Sequence, residues 1–117
     1  MRPIHHPSPQ DISLEGVLYA LGDPVRLEIV QRLAVNDELS CSDLDLQVAK
    51  STLSHHFKIL REAGVLHCRK QGTQHMNSLR RDDLEAAFPG LLDTILQAAQ
   101  GTKEISRRAD TSSIQQL

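Results

Sequence analysis

The stretch from Lys50 to Gly64, KSTLSHHFKILREAG, limits the fold of this chain more than any other. Leu53, Phe57 and Leu60 recur at i, i+4 and i+7, which is one side of a 3.6-residue helix. Around the rest of that helix lie Ser51, Thr52, Ser54, His55 and Lys58: short hydrogen-bonding groups, an imidazole and a cation. The single acid, Glu62, falls at the C-terminal end, and Gly64 can stop the helix because it lacks a Cβ. A helix with one apolar side and a carboxylate-poor, donor-rich opposite side can enter a major groove N-terminus first. Its short side chains then reach base edges and its lysine a phosphate. An amphipathic surface helix shows the same pattern, so the flanking chain has to decide between the two.

Charge is distributed unevenly along the chain. Residues 1–49 carry −5, residues 50–81 carry +6 with Glu62 as their one acid, and residues 82–117 carry −3, which leaves −2 in total. The positive block is Lys50, Lys58, Arg61, Arg69, Lys70, Arg80 and Arg81. Such a block is the footprint of a surface for a polyanion, even at a sequence pI of 6.3. With aromatics at 3%, the core has to be built from Leu, Ile, Val and Ala, which suits helices packed through aliphatic stripes.

The segments before and after fit the same picture. Residues 1–12, rich in proline and holding His5 and His6, are expected as a flexible arm. A helix from Ser13 to Leu21 carries Leu14, Val17, Leu18 and Leu21, and Gly22 ends it. Asp23-Pro24 starts the next helix, with the aspartate as cap and the proline at the first helical position; Val25, Ile29, Val30 and Leu33 face the core. Ser40–Leu46 is a short third helix capped by Ser40 or Ser42, and Gln47-Val48-Ala49 turns into the Lys50 helix, completing a helix-turn-helix. Two short runs, 65–70 and 74–79, flank Gln71-Gly72-Thr73 as a β-hairpin whose tip is crowded by Arg69, Lys70, Gln71, Thr73 and Gln74. A basic hairpin after such a helix is a wing, lying along the backbone or in the adjacent minor groove. Asp82-x-x-Glu85 reads as a capping box for a further helix, broken at Pro89, which can start a second segment. That last segment, with Leu91, Leu92, Ile95 and Leu96, is too apolar to stand uncovered. The expected fold is mainly α with a small β-hairpin: a winged helix-turn-helix over residues 13–100, with helical dimerisation elements at both ends and a tail at 101–117.

The combination LGDPVRLEIVQRLA, AKSTLSHHFKILREAGVL and RKQGTQHMNSL resembles the ArsR-type (arsenic-repressor-like) winged-helix transcriptional regulators of bacteria, over roughly residues 14–96. The resemblance implies a homodimer joined by its terminal helices, through Leu14, Val17 and Leu18 and through Leu91, Leu92, Ile95 and Leu96. It implies a repressor that leaves an inverted-repeat operator in double-stranded DNA when an effector binds or a thiol is modified. By position, Ser51, Thr52, Ser54 and His55 match the family's base-reading face and Arg69 to Gln74 its wing; Lys50 and Lys58, on the same helix, are expected to add DNA contacts through their charge. Three departures stand out. Arsenic-sensing members have Cys-x-Cys in the third helix, where this chain has Cys41 between Ser40 and Ser42. The ligand pattern of zinc and nickel sensors is absent from LEAAFPGLLDTILQAAQ. The segment DLDLQVAK is about two residues short and puts Ala49, a poor cap, where a serine is common, which leaves open whether Ser51 caps or reads.

Other chemistry is thinly supported. Cys41 and Cys68 are too few for a disulfide framework and are candidate thiol sensors, Cys68 having the more basic neighbourhood. Cys68 and His75 can face each other across the hairpin in one register, but two ligands fall short of a metal site. His56, nearer the apolar stripe than His55, is expected as a hydrogen-bonded structural histidine. No paired carboxylates, phosphate loop or nucleophile elbow suggest an enzyme, and no cofactor or metal is expected. No apolar run is long enough for a membrane span, and a cytoplasmic protein is expected. The competing reading is a winged-helix module that binds protein.

Overall fold

Residues 4–101 are described by the computed structural model. Three helices form its centre: α1 (Leu14–Leu21), α2 (Pro24–Val35) and α4 (Lys50–Glu62). Ser13, expected as the first residue of α1, is instead its cap, and the aspartate cap expected for α2 is in place. The Ser13 side chain accepts from Gly16 N–H. Asp23 Oδ2 accepts from the N–H groups of Val25 and Arg26 at 2.9 and 3.0 Å. Ile29, Val30 and Leu33 from α2 meet Leu53, Phe57 and Leu60 from α4 and Val17, Ala20 and Leu21 from α1, all buried. Burial of each such aliphatic side chain contributes about 1.5–3 kcal/mol.

The third helix, α3 (Cys41–Leu44), is a single turn and ends two residues earlier than the sequence suggests. Ser40 is its cap, in a reciprocal box with Asp43, and Asp45 ends it in the left-handed region at φ +48°. The hairpin comprises β2 (Leu66–Gln71) and β3 (Gln74–Leu79), with only Gly72 and Thr73 in the turn. Gly72 has φ +63° at the first central position, as a type II′ turn requires. A two-residue strand, β1 (Leu39–Ser40), joins β3 on its free edge, so the sheet order is β1-β3-β2, all antiparallel. Two residues are too few for a periodic signal, which is why the sequence reads them only as the approach to α3.

Helix α5 (Arg81–Ala87) does not use the expected Asp82–Glu85 box. It starts two residues earlier than that box requires, with Arg80 at the cap position and no side-chain cap. Asp82 and Asp83 therefore lie inside the first turn, where Asp83 pairs with Arg80 at 2.9 Å. Pro89 interrupts the helix as expected. The next one, α6 (91–101), starts two residues after it, because Gly90 at φ +80° is outside helical conformation. Of the expected tail, residues 102–117 lie outside the described residues, as do residues 1–3 of the arm.

The rest of the arm departs from the expectation, because residues 6–12 pack on the domain. Pro9–Asp11 form a 3-10 turn, and Ile12 is buried. Arg80 Nη1 donates to the Pro7 carbonyl at 2.8 Å. His6 Nε2 accepts from the Cys68 amide at 2.9 Å, and its ring stacks on His67 with centroids 4.5 Å apart. Only a neutral ring offers that acceptor. Burial, then the neighbouring charges of His67, Arg80, Arg61 and His5, hold His6 below the ordinary histidine value. A group whose folded pKa lies below its unfolded one stabilises the fold above the unfolded value and loses that contribution as pH falls through the folded one. The strap should therefore loosen as pH drops below about 6.5. Hydrogen exchange at the Cys68 amide should accelerate there beyond the intrinsic pH trend. In a His6→Leu variant exchange should be fast already at pH 8, and protection unchanged by that substitution would refute the docking.

Candidate nucleic-acid interface

The face of α4 expected to read DNA is positioned by the burial of its opposite side. With Leu53, Phe57 and Leu60 in the core, Lys50, Ser51, Thr52, Ser54, His55 and Lys58 are all exposed. Ala49 occupies the cap position and caps nothing with its side chain, so Ser51 lies in the first turn and is not the cap. Uncapped N–H groups at that end suit an anion. Lys58 leans toward Glu62, with 4.0 Å between their charged atoms.

The wing tip and the start of α4 converge. Thr73, Gln74 and His75 share a cleft of about 360 Å³ with Lys50 and Ser54 of α4 and with Ser40, Cys41 and Ser42 at the start of α3. Seven of these eight side chains carry a hydroxyl, amide, thiol or imidazole group, one is a lysine and none is an acid, so the cleft can accept a sugar-phosphate strand. Of the predicted wing residues, Arg69, Lys70 and Gln71 are exposed but do not line this cleft.

Part of the basic block is used by the fold. Arg80 and Arg81 sit at the base of the hairpin, away from the turn. Arg80 holds Asp83 and Pro7, and Arg81 donates to the Ala34 carbonyl. Arg69 makes two 2.6 Å hydrogen bonds to Glu38, just before β1. This pairing holds the Glu38 carboxyl below the usual range and raises Arg69. Glu38 carries no sequence signal for this role, because it lies 31 residues away and meets the wing only through β1–β3 pairing. The pair is exposed, so its contribution to stability is small, but it sets a carboxylate beside a wing cation. Glu38→Gln should raise affinity for any duplex about two- to fivefold, while changing both Arg69 and Lys70 to Ala should lower it and reduce the salt slope by up to about two units. Titrations at several salt concentrations check both, and an unchanged slope in the double variant would remove these residues from the interface.

The structure corrects the expectation for the thiols. Cys68 shares the core side of β2 with Leu66 and is buried, and burial pushes its thiol up despite Arg61 nearby. Cys41 is half-buried, and burial pushes it up too, against the opposing effect of Lys50. Neither has the exposed, thiolate-favouring setting of a sensor cysteine. The register places Asn77, not His75, opposite Cys68, and among the described residues no three His, Cys, Asp or Glu side chains cluster as a metal site would need.

His56 is buried, as its helical phase suggests. Its Nδ1 lies 3.1 Å from Arg26 Nη1, and Arg26 is itself buried within the α2 start. Sequence reasoning missed Arg26 because an arginine beside Val25 reads as a solvent residue on an amphipathic helix.

Expected dimer residues separate into three groups. Val17 and Leu92 are buried within the protomer, in a seam with Leu21, Leu84, Leu91 and Ile95 that has no room for water. They hold α6 on α1 and have little surface left for a partner. Leu91, Ile95 and Leu96 are half-buried, whereas Leu14 and Leu18 are 43% and 48% exposed, with Tyr19 beside them at 65%.

No described helix is long and apolar enough to cross a membrane. A helix-turn-helix domain model matches residues 21–69, the segment from the end of α1 into β2. YceK, an HTH-type transcriptional regulator of Bacillus subtilis, is 40% identical over 82 residues, covering 68% of this chain and 82% of YceK. The arsenical resistance operon repressor of Staphylococcus xylosus is 37% identical over 89 residues, covering 75% and 85% of the two chains. An ArsR-like transcriptional regulator from Rhodococcus sp. RHA1 shares the fold, with a TM-score of 0.56 at 24% identity over 86% of this chain and 91% of that one. The geometry of a helix-turn-helix with its hairpin and these likenesses agree: the chain belongs to the ArsR family of helix-turn-helix DNA-binding transcriptional regulators, and like its relatives it is a regulator rather than an enzyme.

Proposed function

We propose that this regulator is a homodimeric repressor that binds an imperfect inverted repeat and is released by an effector other than the family's metals. The observation that carries the reading is the presence of two exposed surfaces on one core. One is the acid-free face of α4 with its cleft to the wing; the other is the apolar Leu14–Leu18–Tyr19 face of α1. A two-fold axis at the second surface sets two copies of the first side by side. They fit successive major grooves about 34–36 Å apart, so half-sites lie about 10 base pairs centre to centre. The repressor sense comes from the arsenical resistance operon repressor it resembles. The metal-independent release rests on Cys41 standing alone between Ser40 and Ser42 and on an α6 without histidine.

Within each half-site Ser54 and His55 read base edges, Ser51 and Thr52 add contacts from the first turn, and Lys50 and Lys58 neutralise phosphates. Selection of bound duplexes from a random pool tests this. His55→Ala should flatten preference at one or two base pairs per half-site, costing about 1–3 kcal/mol each, whereas Lys58→Ala should weaken all sites alike. Recovery of the wild-type sequence logo by His55→Ala would remove His55 from the readout. Release by stoichiometric zinc or arsenite would refute the metal-independent part.

A further inference from the structure

Behind the base-facing surface, His56 lies against two groups at the start of α2. Arg26 Nη1 is 3.1 Å from His56 Nδ1, and Asp23 Oδ2 is 3.8 Å from the same nitrogen. A guanidinium has donors only, so Nδ1 accepts and the ring hydrogen lies on Nε2. The same guanidinium donates through Nε to the Ala20 carbonyl at 2.6 Å and through Nη2 to the Tyr19 carbonyl at 3.3 Å. Those are last-turn carbonyls of α1, where a helix leaves acceptors over, and the Tyr19 carbonyl also accepts from the Gly22 N–H. Arg26 is 7% exposed, and its charged carbon lies 5.4 Å from the Tyr19 ring centroid. One planar fork therefore joins the C-terminal end of α1, the start of α2 and the middle of α4. Its donors point in fixed directions, which a lysine in the same place would not provide.

We propose that Arg26 is a positioning residue for operator recognition: through His56 it fixes the angle between α1 and the recognition helix α4, and so the half-site spacing that the dimer accepts. The proposal rests on the dimeric reading above, in which α1 is a dimer element. Spacing between the two recognition helices is then set along a path from α4 through His56 and Arg26 to α1 and across the two-fold axis. The apolar contacts of Leu53, Phe57 and Leu60 hold α4 to the core, but hydrophobic contact is non-directional and tolerates a small slide or rotation. Hydrogen bonds of fixed length and angle resist it. One base-pair step moves a half-site by about 3.4 Å along the duplex. An untethered α4 should follow such a change more readily than one tied to α1.

The test compares affinities for synthetic operators whose half-sites sit at the preferred spacing, one base pair closer and one base pair further apart. Four proteins are measured: wild type, Arg26→Gln, His56→Asn, which keeps an acceptor near the Nδ1 position, and His56→Leu, which keeps none. Wild type and His56→Asn should discriminate spacing sharply. Arg26→Gln and His56→Leu should lose about tenfold of that discrimination, the scale of one buried hydrogen bond. Non-specific affinity and its salt slope should stay at wild-type values in all four, since neither residue touches phosphate. A destabilised but otherwise normal protein would melt earlier and still discriminate. If Arg26→Gln does not fold, His56→Leu against His56→Asn decides; if neither loss variant folds, the role is structural and the proposal falls. Folded dimers of either loss variant with wild-type discrimination would overturn it, as would His56→Asn behaving like His56→Leu. Wild type without any spacing preference would instead overturn the dimeric reading, and this proposal with it.

Discussion

Replacing both Leu14 and Leu18 with aspartate should convert the operator-binding protein into a folded monomer and lower operator affinity by about 10²–10⁴, the range by which two linked half-site contacts exceed one. Each leucine is nearly half exposed in the protomer, so a carboxylate there stays in water when the chain is alone. Leu14 opens α1, where a negative charge suits the helix dipole, and Leu18 lies one turn on, where aspartate costs a few tenths of a kcal/mol of propensity. Against a second copy the same change brings four carboxylates to the two-fold axis and desolvates them. Leu92→Asp is the contrasting control. Leu92 is 7% exposed in the α1–α6 seam, and a charge there should unfold the chain rather than separate folded chains. Sedimentation and circular dichroism on the two proteins distinguish these outcomes. A wild-type monomer at micromolar concentration, or a double variant that still forms dimers, would refute the assignment of this face.

Gly64→Ala should cost about 2–4 kcal/mol and lower Tm by about 10–20 °C, although it adds one methyl group far from the bases. Two independent penalties meet at this position. Gly64 has φ +85°, which an L side chain adopts only at a cost of about 1–2 kcal/mol. A Cβ there would also lie 2.5 Å from Ile12 Cγ1 and 2.8 Å from its Cδ1. Ile12 is buried over the junction between α4 and β2, so it has to be displaced, and the strap behind it with Pro7 and His6. Combining Gly64→Ala with Ile12→Ala should cost less than the two changes added together, because the clash is gone. A melt within about 2 °C of wild type would mean that residues 6–12 do not pack where the structure has them. Base preference should be unchanged in every case, because Gly64 lies beyond the C-terminal end of α4.

Local chemistry was legible in the chain itself. Gly22 ends α1 and Asp23-Pro24 starts α2 because caps and helix stops act through backbone groups within a few residues. The Leu53–Phe57–Leu60 stripe determined which side of α4 faces out, since helical phase follows from spacing alone. That is also why His56 was expected inside and His55 outside. The hairpin followed from Gly72 between two short runs, and Ser40 was one of two caps considered for α3. Resemblance to the ArsR-type regulators then supplied what no local pattern carries, the expectation of a dimer and an operator.

Tertiary structure decided whatever depends on residues far apart in the chain. Pairing of β1 with β3 brings Glu38 to Arg69 and makes one wing cation an ion pair. The fold back of residues 6–12 turns an expected arm into a strap, because His6 finds the Cys68 amide 62 residues on and Ile12 fills the space over Gly64. Hairpin register put Asn77 opposite Cys68 and the thiol in the core, where burial outweighs its basic neighbours. Packing of α6 took Val17 and Leu92 into the protomer and left Leu14 and Leu18 outside, a division that a shared aliphatic stripe does not reveal. Arg26 carries no local signal of its role, which arises only where three helices close around it. Sequence periodicity reports which face of an element is apolar; which neighbour covers that face, and which polar group is trapped with it, is determined only when the elements pack.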